Sequence, residues 1–228
     1  MRDQRQHWEG IHRREPDHLY GPDPTSFARE SAAWFPPASS ILELGCGAGR
    51  DAAFFASLGH TVCATDFSAT AIARNRAQHA DVPNLSFLDL DTAEPLPFAD
   101  GSFDVVYAHL SLHYFGDAVT RRVFGEIHRV LRPAGLLAFV CKSVGDPLYG
   151  HGTMIEPDMF EHEGHVRHFF SEAYARSCLA DGFEVVRLEC VDGQHHGRPS
   201  AFVKVIARAR STSVMSATID SPSFPFAR

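Results

Sequence analysis

The stretch that decides the fold is ILELGCGAGRD at residues 41–51. Apolar residues run directly into three alternating glycines, and a charged pair then opens a helical pattern. A strand that ends in such a loop exposes its main chain, because glycine has no Cβ and accepts a positive φ. In an open parallel sheet, ligands bind beyond the carboxyl ends of the strands. The pattern therefore predicts a ligand lying directly on the main chain of Gly45, Gly47 and Gly49.

Composition places the chain among ordinary globular proteins. Its 228 residues are 44% hydrophobic and 21% charged, with a formal net charge of -7. This acidic balance disfavours a dedicated nucleic-acid binder, which usually carries a basic surface. The N-terminus does not resemble a secretory leader, no apolar run has membrane-spanning length, and the cysteines lack paired metal-type spacing. We predict a cytoplasmic monomer or homodimer that binds neither nucleic acid nor membrane.

Short apolar segments alternate with amphipathic ones, which is the pattern of a parallel sheet covered by helices. The predicted strands are 40–45, 61–66, 85–90, 103–109, 136–142, 184–190 and 202–208. The predicted helices are 50–58, 69–79, 118–131 and 172–181. The connector 191–201 is too short for a helix, so the last two strands should be antiparallel neighbours. The expected fold class is α/β, a Rossmann-like, doubly wound sheet of seven mostly parallel strands with an antiparallel last strand.

A second feature, CATDFS at residues 63–68, places Asp66 at the end of the second strand. A carboxylate there can accept two hydrogen bonds from a ribose diol, although it could instead cap the following helix. The glycine loop reads G-x-G-x-G and does not match the dinucleotide fingerprint G-x-G-x-x-G. Loop and acid together predict a nucleoside site.

LELGCGAGRD followed by CATDFS resembles the class I S-adenosylmethionine-dependent methyltransferases. LSFLDLD, GSFDVVYAHLSLHYF and EIHRVLRPAGLLAFV follow in the family's order, so the resemblance spans about residues 18–209. It implies S-adenosylmethionine as the cofactor, with Asp89 accepting a hydrogen bond from the adenine amino group and Leu90 flanking the ring. The cofactor site implied by the resemblance comprises Tyr20, Glu43, Gly45, Cys46, Gly47, Gly49, Asp66, Phe67, Asp89, Leu90 and His109.

LYGPDPTSFARE at residues 19–30 is similar to a segment of small methyltransferases akin to tellurite-resistance enzymes, in which it folds over the cofactor. The similarity implies that Tyr20 covers the sulfonium end. We therefore divide the chain into an N-terminal helical lid segment, a methyltransferase domain with a substrate-side insertion, and a flexible tail. The corresponding ranges are 1–36, 37–210, about 143–170 for the insertion, and 211–228.

Histidines are the candidates for a general base, because their unperturbed pKa is about 6.5. The segment AHLSLHYF follows the fourth strand, so we expect His109 and His113 to lie beside the transferred methyl group. Tyr114 is expected on the wall of the acceptor pocket. Arg167 and His168, in the predicted insertion, are expected to contact an anionic acceptor.

A histidine-rich stretch, FEHEGHVRHFF at residues 160–170, has the residue types of a metal site. Three-residue spacing could align ligands on a helix, but Gly164 interrupts it, and VRHFF has the pattern of an extended chain. We therefore predict no metal.

The leading hypothesis is a methyltransferase for a small-molecule acceptor, whose nucleophile could be oxygen, nitrogen, sulfur or a chalcogen oxyanion. One alternative is a non-catalytic module that binds S-adenosylmethionine. A less favoured one is a nicotinamide-dependent oxidoreductase, which would need a Tyr-x-x-x-Lys pair or an equivalent that the sequence does not show.

Overall fold

The structure is a computed structural model that describes residues 2–14, 21 and 23–211. Within these residues it contains six α-helices, ten strands and a short 3-10 turn at Leu112–Tyr114. The helices are α1 (Arg2–Arg14), α2 (Ser26–Ala32), α3 (Arg50–Ser57), α4 (Ala69–Gln78), α5 (Asp117–Val130) and α6 (Glu172–Leu179). The strands are β1 (Ser40–Leu44), β2 (Thr61–Asp66), β3 (Leu85–Asp89), β4 (Phe103–His109), β5 (Leu131–Lys142), β6 (Thr153–Glu156), β7 (Met159–His162), β8 (His165–His168), β9 (Phe183–His195) and β10 (Arg198–Ala209).

Seven strands form the main sheet in the order β3-β2-β1-β4-β5-β10-β9. The first five are parallel, while β10 runs antiparallel to both β5 and β9. This confirms the predicted Rossmann-like sheet and its reversed last strand. The reversal follows from the short connection between β9 and β10, because only antiparallel strands can be joined without a crossover.

Helices cover both faces of the sheet, so the parallel strands are buried on two sides and are nearly continuously apolar. One core lies under α5 and α6 and contains Phe124 and Leu179. The other lies under α2, α3 and α4 and contains Phe27, Phe55 and Ile72. The two cores hold the main sheet rigid, and its strand ends therefore provide fixed positions for a site.

The junction between α5 and β5 differs from the prediction. The sequence places the helix over 118–131 and the strand over 136–142, whereas the strand begins at Leu131 directly after the helix. Leu131 pairs with Phe103, and the register with β4 then shifts by a bulge. Ala134 within the intervening RPAG has a φ of 64°. A bulge accommodates such a residue without ending the strand, which explains why the turn-like sequence hid it.

The predicted insertion contains a small antiparallel sheet of its own, in the order β6-β7-β8. The sequence indicated only extended chain near its end. Each strand has only four residues, and burial does not alternate along any of them. Such short strands give no clear period-2 pattern.

The N-terminal and C-terminal segments are described in part. The predicted lid segment contains α1 and α2, whereas Tyr20 lies outside the described residues. The predicted tail lies outside them too, apart from Ser211. Among residues 2–14, 21 and 23–211, no helix combines the length and apolar character needed to cross a membrane.

Candidate active site

A cavity of about 210 Å³ lies at the carboxyl ends of β1, β2 and β4. Since β1 lies between β2 and β4, the winding of the sheet reverses here, which is where such sheets bind ligands. A volume of this order suits a small molecule better than a polymer segment. The residues that line it are Trp8, His12, Thr25, Glu43, Gly45, Cys46, Gly47, Ala48, Arg50, Asp51, Asp66, Phe67, Asp91, Thr92, His109, Leu110, Ser111, Tyr114, Phe115, His195 and His196.

The three glycines of the loop after β1 serve different purposes. A Cβ on Gly47 would point into open space, with the His12 ring as its nearest neighbour at 3.9 Å. A Cβ on Gly45 would instead meet Ser111 Cβ at 2.4 Å. Gly49, which does not line the cavity, packs beneath Phe87 and Asn75. Gly45 and Gly47 thus both present main chain to the cavity, and Gly47 has the more open space beside its α-carbon, whereas Gly49, predicted to do the same, does not line the cavity.

Asp66 ends β2 and faces the cavity, as predicted. Its Oδ2 accepts a hydrogen bond from Gly47 N at 2.9 Å, and its Oδ1 accepts one from Ser68 N at 2.9 Å. Asp66 therefore accepts a hydrogen bond from the backbone just before α4, which is part of the alternative helix-cap role, although the N-cap residue of α4 is Ser68. Each oxygen keeps a lone pair for a further donor. Burial raises the pKa of Asp66, while the two backbone donors favour its charged form.

The predicted adenine contacts, Asp89 and Leu90, do not line the cavity. Asp89 is the exposed last residue of β3, and Leu90 is buried in the core while its N–H donates to Asp66 O at 3.0 Å. Asp91 and Thr92, two residues further on, are on the cavity wall. The acidic repeat in LDLD caused the misplacement, because the strand ends at the first of its two aspartates.

Glu43 is an acid with an unpaired oxygen at the cavity. Its side chain is 3% exposed, and Oε2 has no hydrogen-bond partner within the described part of the chain. Burial raises its pKa well above the usual value, and the nearby Asp51 and Asp66 raise it further. An unpaired buried oxygen is costly, so a donor, above all a cationic one, would be stabilised here.

Asp51 connects the N-terminal segment to the sheet, a role that the sequence analysis missed. Its carboxylate accepts hydrogen bonds from Thr25 N at 2.7 Å, Thr25 Oγ1 at 2.8 Å and Tyr107 OH at 2.8 Å. Thr25 is also the N-cap of α2. The strand β4, the start of α3 and the start of α2 therefore meet at one carboxylate beside the cavity.

His109 ends β4 and lines the cavity, as predicted. Burial lowers the pKa of its imidazole to about 4, against a smaller opposing effect of Asp51. The ring is therefore neutral at pH 7 and can accept a proton or a hydrogen bond. The next residue, Leu110, has a φ of 55°, a conformation that costs energy for a large side chain and is concentrated at functional sites.

His113 does not reach the cavity, so its predicted place beside the methyl group is wrong. It is 1% exposed, and its Nδ1 is unpaired among the described residues. Burial lowers its pKa well below the usual value. The 3-10 turn at 112–114 carries this ring inward, whereas Tyr114 and Phe115 line the cavity.

The helix α1 lies over the cavity and contributes Trp8 and His12 to its wall. Glu9 holds one side of the helix to the start of α4: its carboxylate accepts hydrogen bonds from Ser68 Oγ at 2.6 Å and from the Thr70 hydroxyl. Arg74 donates to His12 O at 2.6 Å. The Trp8 ring packs against Tyr114 with centroids 5.3 Å apart, which joins the helix to the β4 side.

The insertion does not place its predicted residues on the cavity wall. Arg167 contacts His165 rather than the cavity. His168 is buried, and its Nδ1 lies 3.2 Å from Phe115 O. Both therefore support the wall from behind. Among the residues that the structure describes, no group of three or more His, Cys, Asp or Glu side chains could hold a metal ion.

Three further predicted cofactor residues are positioned as follows. Cys46 and Phe67 line the cavity, and burial raises the pKa of the Cys46 thiol, which is therefore protonated and unreactive at neutral pH. Tyr20 is not described. His195 and His196, which the sequence analysis did not include among its site residues, also line the cavity, at the connection between β9 and β10.

Comparison with known proteins shows which domain the first part of the sheet resembles. Residues 42–139 match the family model of a methyltransferase domain. An uncharacterized methyltransferase of Synechocystis is 35% identical over 46% of this chain and 47% of its own length. The malonyl-[acyl-carrier protein] O-methyltransferase of Pectobacterium atrosepticum is 35% identical over 46% of this chain and 39% of its own. The chain thus spans less than half the length of either relative.

A solved structure extends the likeness of the fold to most of the chain. It is the Burkholderia thailandensis 1,6-didemethyltoxoflavin-N1-methyltransferase with bound 1,6-didemethyltoxoflavin and S-adenosylhomocysteine. The TM-score is 0.71 at 20% identity, covering 92% of this chain and 88% of that one. The sheet order agrees with this likeness of fold, and the family-model match shows that residues 42–139 resemble a methyltransferase domain. The matched residues 42–139 run from β1 into β5 and include the glycine loop, Asp66 and His109.

Proposed function

We propose that this protein transfers a methyl group from S-adenosylmethionine to a small-molecule acceptor. The observation that carries the proposal is the unpaired Glu43 Oε2 beside the bare main chain of Gly47, at the reversal point of a methyltransferase-type sheet. A cationic amino group of a ligand would satisfy that oxygen. The cofactor of this family carries such a group, so the residues present fit it.

The cofactor would be held by residues from three neighbouring strand ends. Gly47 provides the main-chain surface, and Asp66 provides two carboxylate oxygens for a ribose diol. Asp91, rather than Asp89, is on the wall where the base would lie. Phe67 provides an apolar surface beside it. These positions follow the order of β1, β2 and β3, so the nucleoside would extend toward β3 and its reactive end toward β4.

When bound, the cofactor supplies an electrophilic methyl group attached to a positively charged sulfur. The contribution of the chain is to orient the acceptor and exclude water, and orientation alone can supply about 7–11 kcal/mol. His109 is the proposed catalytic residue, because it ends β4 on the cavity wall and its neutral ring can accept a hydrogen bond from the acceptor and so orient the nucleophile. Trp8 and Tyr114 close the cavity above it.

The names of two similar proteins suggest which atom of the acceptor receives the methyl group. One is named as a malonyl-[acyl-carrier protein] O-methyltransferase, and a protein of similar fold is an N1-methyltransferase solved with 1,6-didemethyltoxoflavin bound. We propose an oxygen or nitrogen nucleophile on a small molecule. The cavity volume and its cover by α1 agree with an acceptor of that size.

Isothermal titration with S-adenosylhomocysteine tests the cofactor half of the proposal. Asp66→Ala should weaken binding roughly 10- to 100-fold, as expected for the loss of charged hydrogen bonds. Glu43→Gln should also weaken it, whereas Asp181→Asn, at an exposed position, should not. Thermal unfolding of each variant shows that the loss is local. Binding of NADH instead of S-adenosylhomocysteine would overturn the proposal in favour of an oxidoreductase.

Release of S-adenosylhomocysteine in the presence of candidate acceptors tests the catalytic half. His109→Ala should lower turnover by roughly 10-fold or more with little change in cofactor affinity, as expected when the acceptor loses a hydrogen bond that orients it. Tight cofactor binding without transfer to any acceptor would favour a non-catalytic binding module.

A further inference from the structure

The hairpin of β9 and β10 projects beyond the main sheet. The pairing of β10 with β5 ends at Phe202 and Lys142, while its pairing with β9 continues to Arg198 and His195. The tip is a two-residue turn in which His196 has a φ of 51° and Gly197 one of 71°. Positive φ at both positions is the mark of a type I′ turn, which matches the twist of a hairpin. The projection therefore has a defined geometry.

A buried ion pair fixes the base of this projection. Lys142 Nζ donates to Asp146 Oδ2 at 2.8 Å and to the Ser200 hydroxyl. Asp146 Oδ2 also accepts from Ala201 N at 3.1 Å. The Lys142 and Asp146 side chains are only 6% and 1% exposed. The last residue of β5, the loop after it and the start of β10 are thereby joined, so the histidines at the tip occupy set positions.

The cavity has two chemically different halves. The half over β1, β2, β3 and α3 carries all of its carboxylates and its arginine, which are Glu43, Arg50, Asp51, Asp66 and Asp91. The other half is lined by residues from the end of β4 onward, and among those described none is Lys, Arg, Asp or Glu. Five of its seven residues carry rings: His109, Tyr114, Phe115, His195 and His196.

Two pairs of rings are in contact at this second half. The imidazoles of His195 and His196 have centroids 4.0 Å apart, and α1 adds Trp8, 5.3 Å from the Tyr114 ring. Burial lowers the pKa of His109 to about 4 and that of His195 to about 3. Both imidazoles are neutral at pH 7, so they can donate and accept hydrogen bonds without providing charge.

We propose that this ring-lined half is the acceptor subsite and that it takes a planar, conjugated ring compound bearing a hydroxyl or a ring N–H. The inference rests on the methyltransferase function proposed above and specifies its substrate class. Flat ligands pack favourably against aromatic side chains, and offset or edge-to-face ring pairs add about 0.5–1.5 kcal/mol beyond area burial. The neutral imidazoles suit the polar atoms at the edge of such a ring. An aliphatic anionic acceptor would find no cationic side chain among the described residues of this half.

Two matched probes distinguish a flat ring from a saturated one of similar size. 2-Naphthol and decahydro-2-naphthol are titrated into the full-length protein saturated with S-adenosylhomocysteine, and binding is followed by saturation-transfer difference NMR. We expect 2-naphthol to bind at least fivefold more tightly than the saturated compound. Equal or weaker binding of 2-naphthol would overturn the inference.

The hairpin tip is tested by a double variant with a matched control. His195→Ala/His196→Ala should reduce the affinity for 2-naphthol at least fivefold and leave the affinity for S-adenosylhomocysteine within twofold. His151→Ala/His162→Ala is the control, because this pair also faces each other, at 6.1 Å, and does not line the cavity. Unchanged 2-naphthol binding in the hairpin variant would refute the assignment. Failure of S-adenosylhomocysteine to bind the wild type would instead refute the proposed function.

Discussion

Ser111 lies against the α-carbon of Gly45, so closely that a Cβ on Gly45 would come within 2.4 Å of Ser111 Cβ. The serine is held there because its hydroxyl donates to Leu44 O at 2.6 Å. The loop after β1 and the loop after β4 therefore interlock beside the cavity. Gly45 is required by the contact between two loops, while Gly47 faces the space where a ligand would lie.

Alanine substitutions at the two glycines should separate these roles. Gly45→Ala introduces both a backbone strain, since φ is 74°, and a clash with Ser111. We expect it to lower the free energy of unfolding by roughly 2–5 kcal/mol, since left-handed strain alone is about 1–2 kcal/mol and overpacking adds about 1–3 kcal/mol. Chemical denaturation measures this effect.

Gly47→Ala should lower the free energy of unfolding less than Gly45→Ala does, and it should weaken cofactor binding more. Its φ of 52° is tolerated by alanine at about 1–2 kcal/mol, and the added methyl group would occupy the surface offered to a ligand. We expect at least tenfold weaker binding of S-adenosylhomocysteine by calorimetry. A Gly47→Ala variant that binds like the wild type would remove this residue from the cofactor site.

The parts of the site that the sequence predicted are those placed by strand ends. Gly47, Asp66 and His109 each follow an apolar run, so the ends of parallel strands bring them to one edge. Asp51 could not be assigned in this way, because its partners Thr25 and Tyr107 are 26 and 56 residues away along the chain. Only the folded structure brings such distant residues together.

The hairpin projection and the buried His113 were missed for local reasons. Two-residue type I′ turns are usually signalled by Asn-Gly or Asp-Gly, whereas here the pair is His196 and Gly197. Histidine is also enriched at positive φ, but a His-Gly pair predicts a type I′ turn much less strongly than Asn-Gly does. The end of β4 brings His109 to the cavity, whereas the 3-10 turn at Leu112–Tyr114, which the sequence did not indicate, buries His113.

Replacing Lys142 tests the anchor of the hairpin. Lys142→Met leaves Asp146 buried without its charge partner, which typically costs about 3–5 kcal/mol. The matched control is Arg176→Met, because its pair with Glu172 is half exposed and such pairs contribute about 1 kcal/mol or less. Urea unfolding of both variants measures the difference. Similar losses for the two would show that the buried pair does not anchor this region.

Removal of the His113 imidazole should leave turnover unchanged, in contrast to the loss of turnover expected for His109→Ala. His113→Phe keeps a ring of similar size and eliminates a buried nitrogen that has no partner within the described chain. Since an unpaired buried polar group costs about 1–3 kcal/mol, we expect equal or higher stability and unchanged turnover. A large loss of turnover in His113→Phe, with cofactor affinity retained, would restore the catalytic role that the sequence suggested.

Acid should destabilise the fold through its buried histidines. In the unfolded chain His109 protonates at about pH 6.5, but in the folded protein burial lowers its pKa to about 4. Between these values the unfolded state binds more protons, so the free energy of unfolding falls as the pH falls, by up to about 1.4 kcal/mol per pH unit for each such group. His109→Phe should reduce this slope between pH 6.5 and 4 in denaturant titrations, and His151→Phe, at an exposed site, serves as the control. An unaltered slope in His109→Phe would mean that this imidazole is not held neutral by the fold.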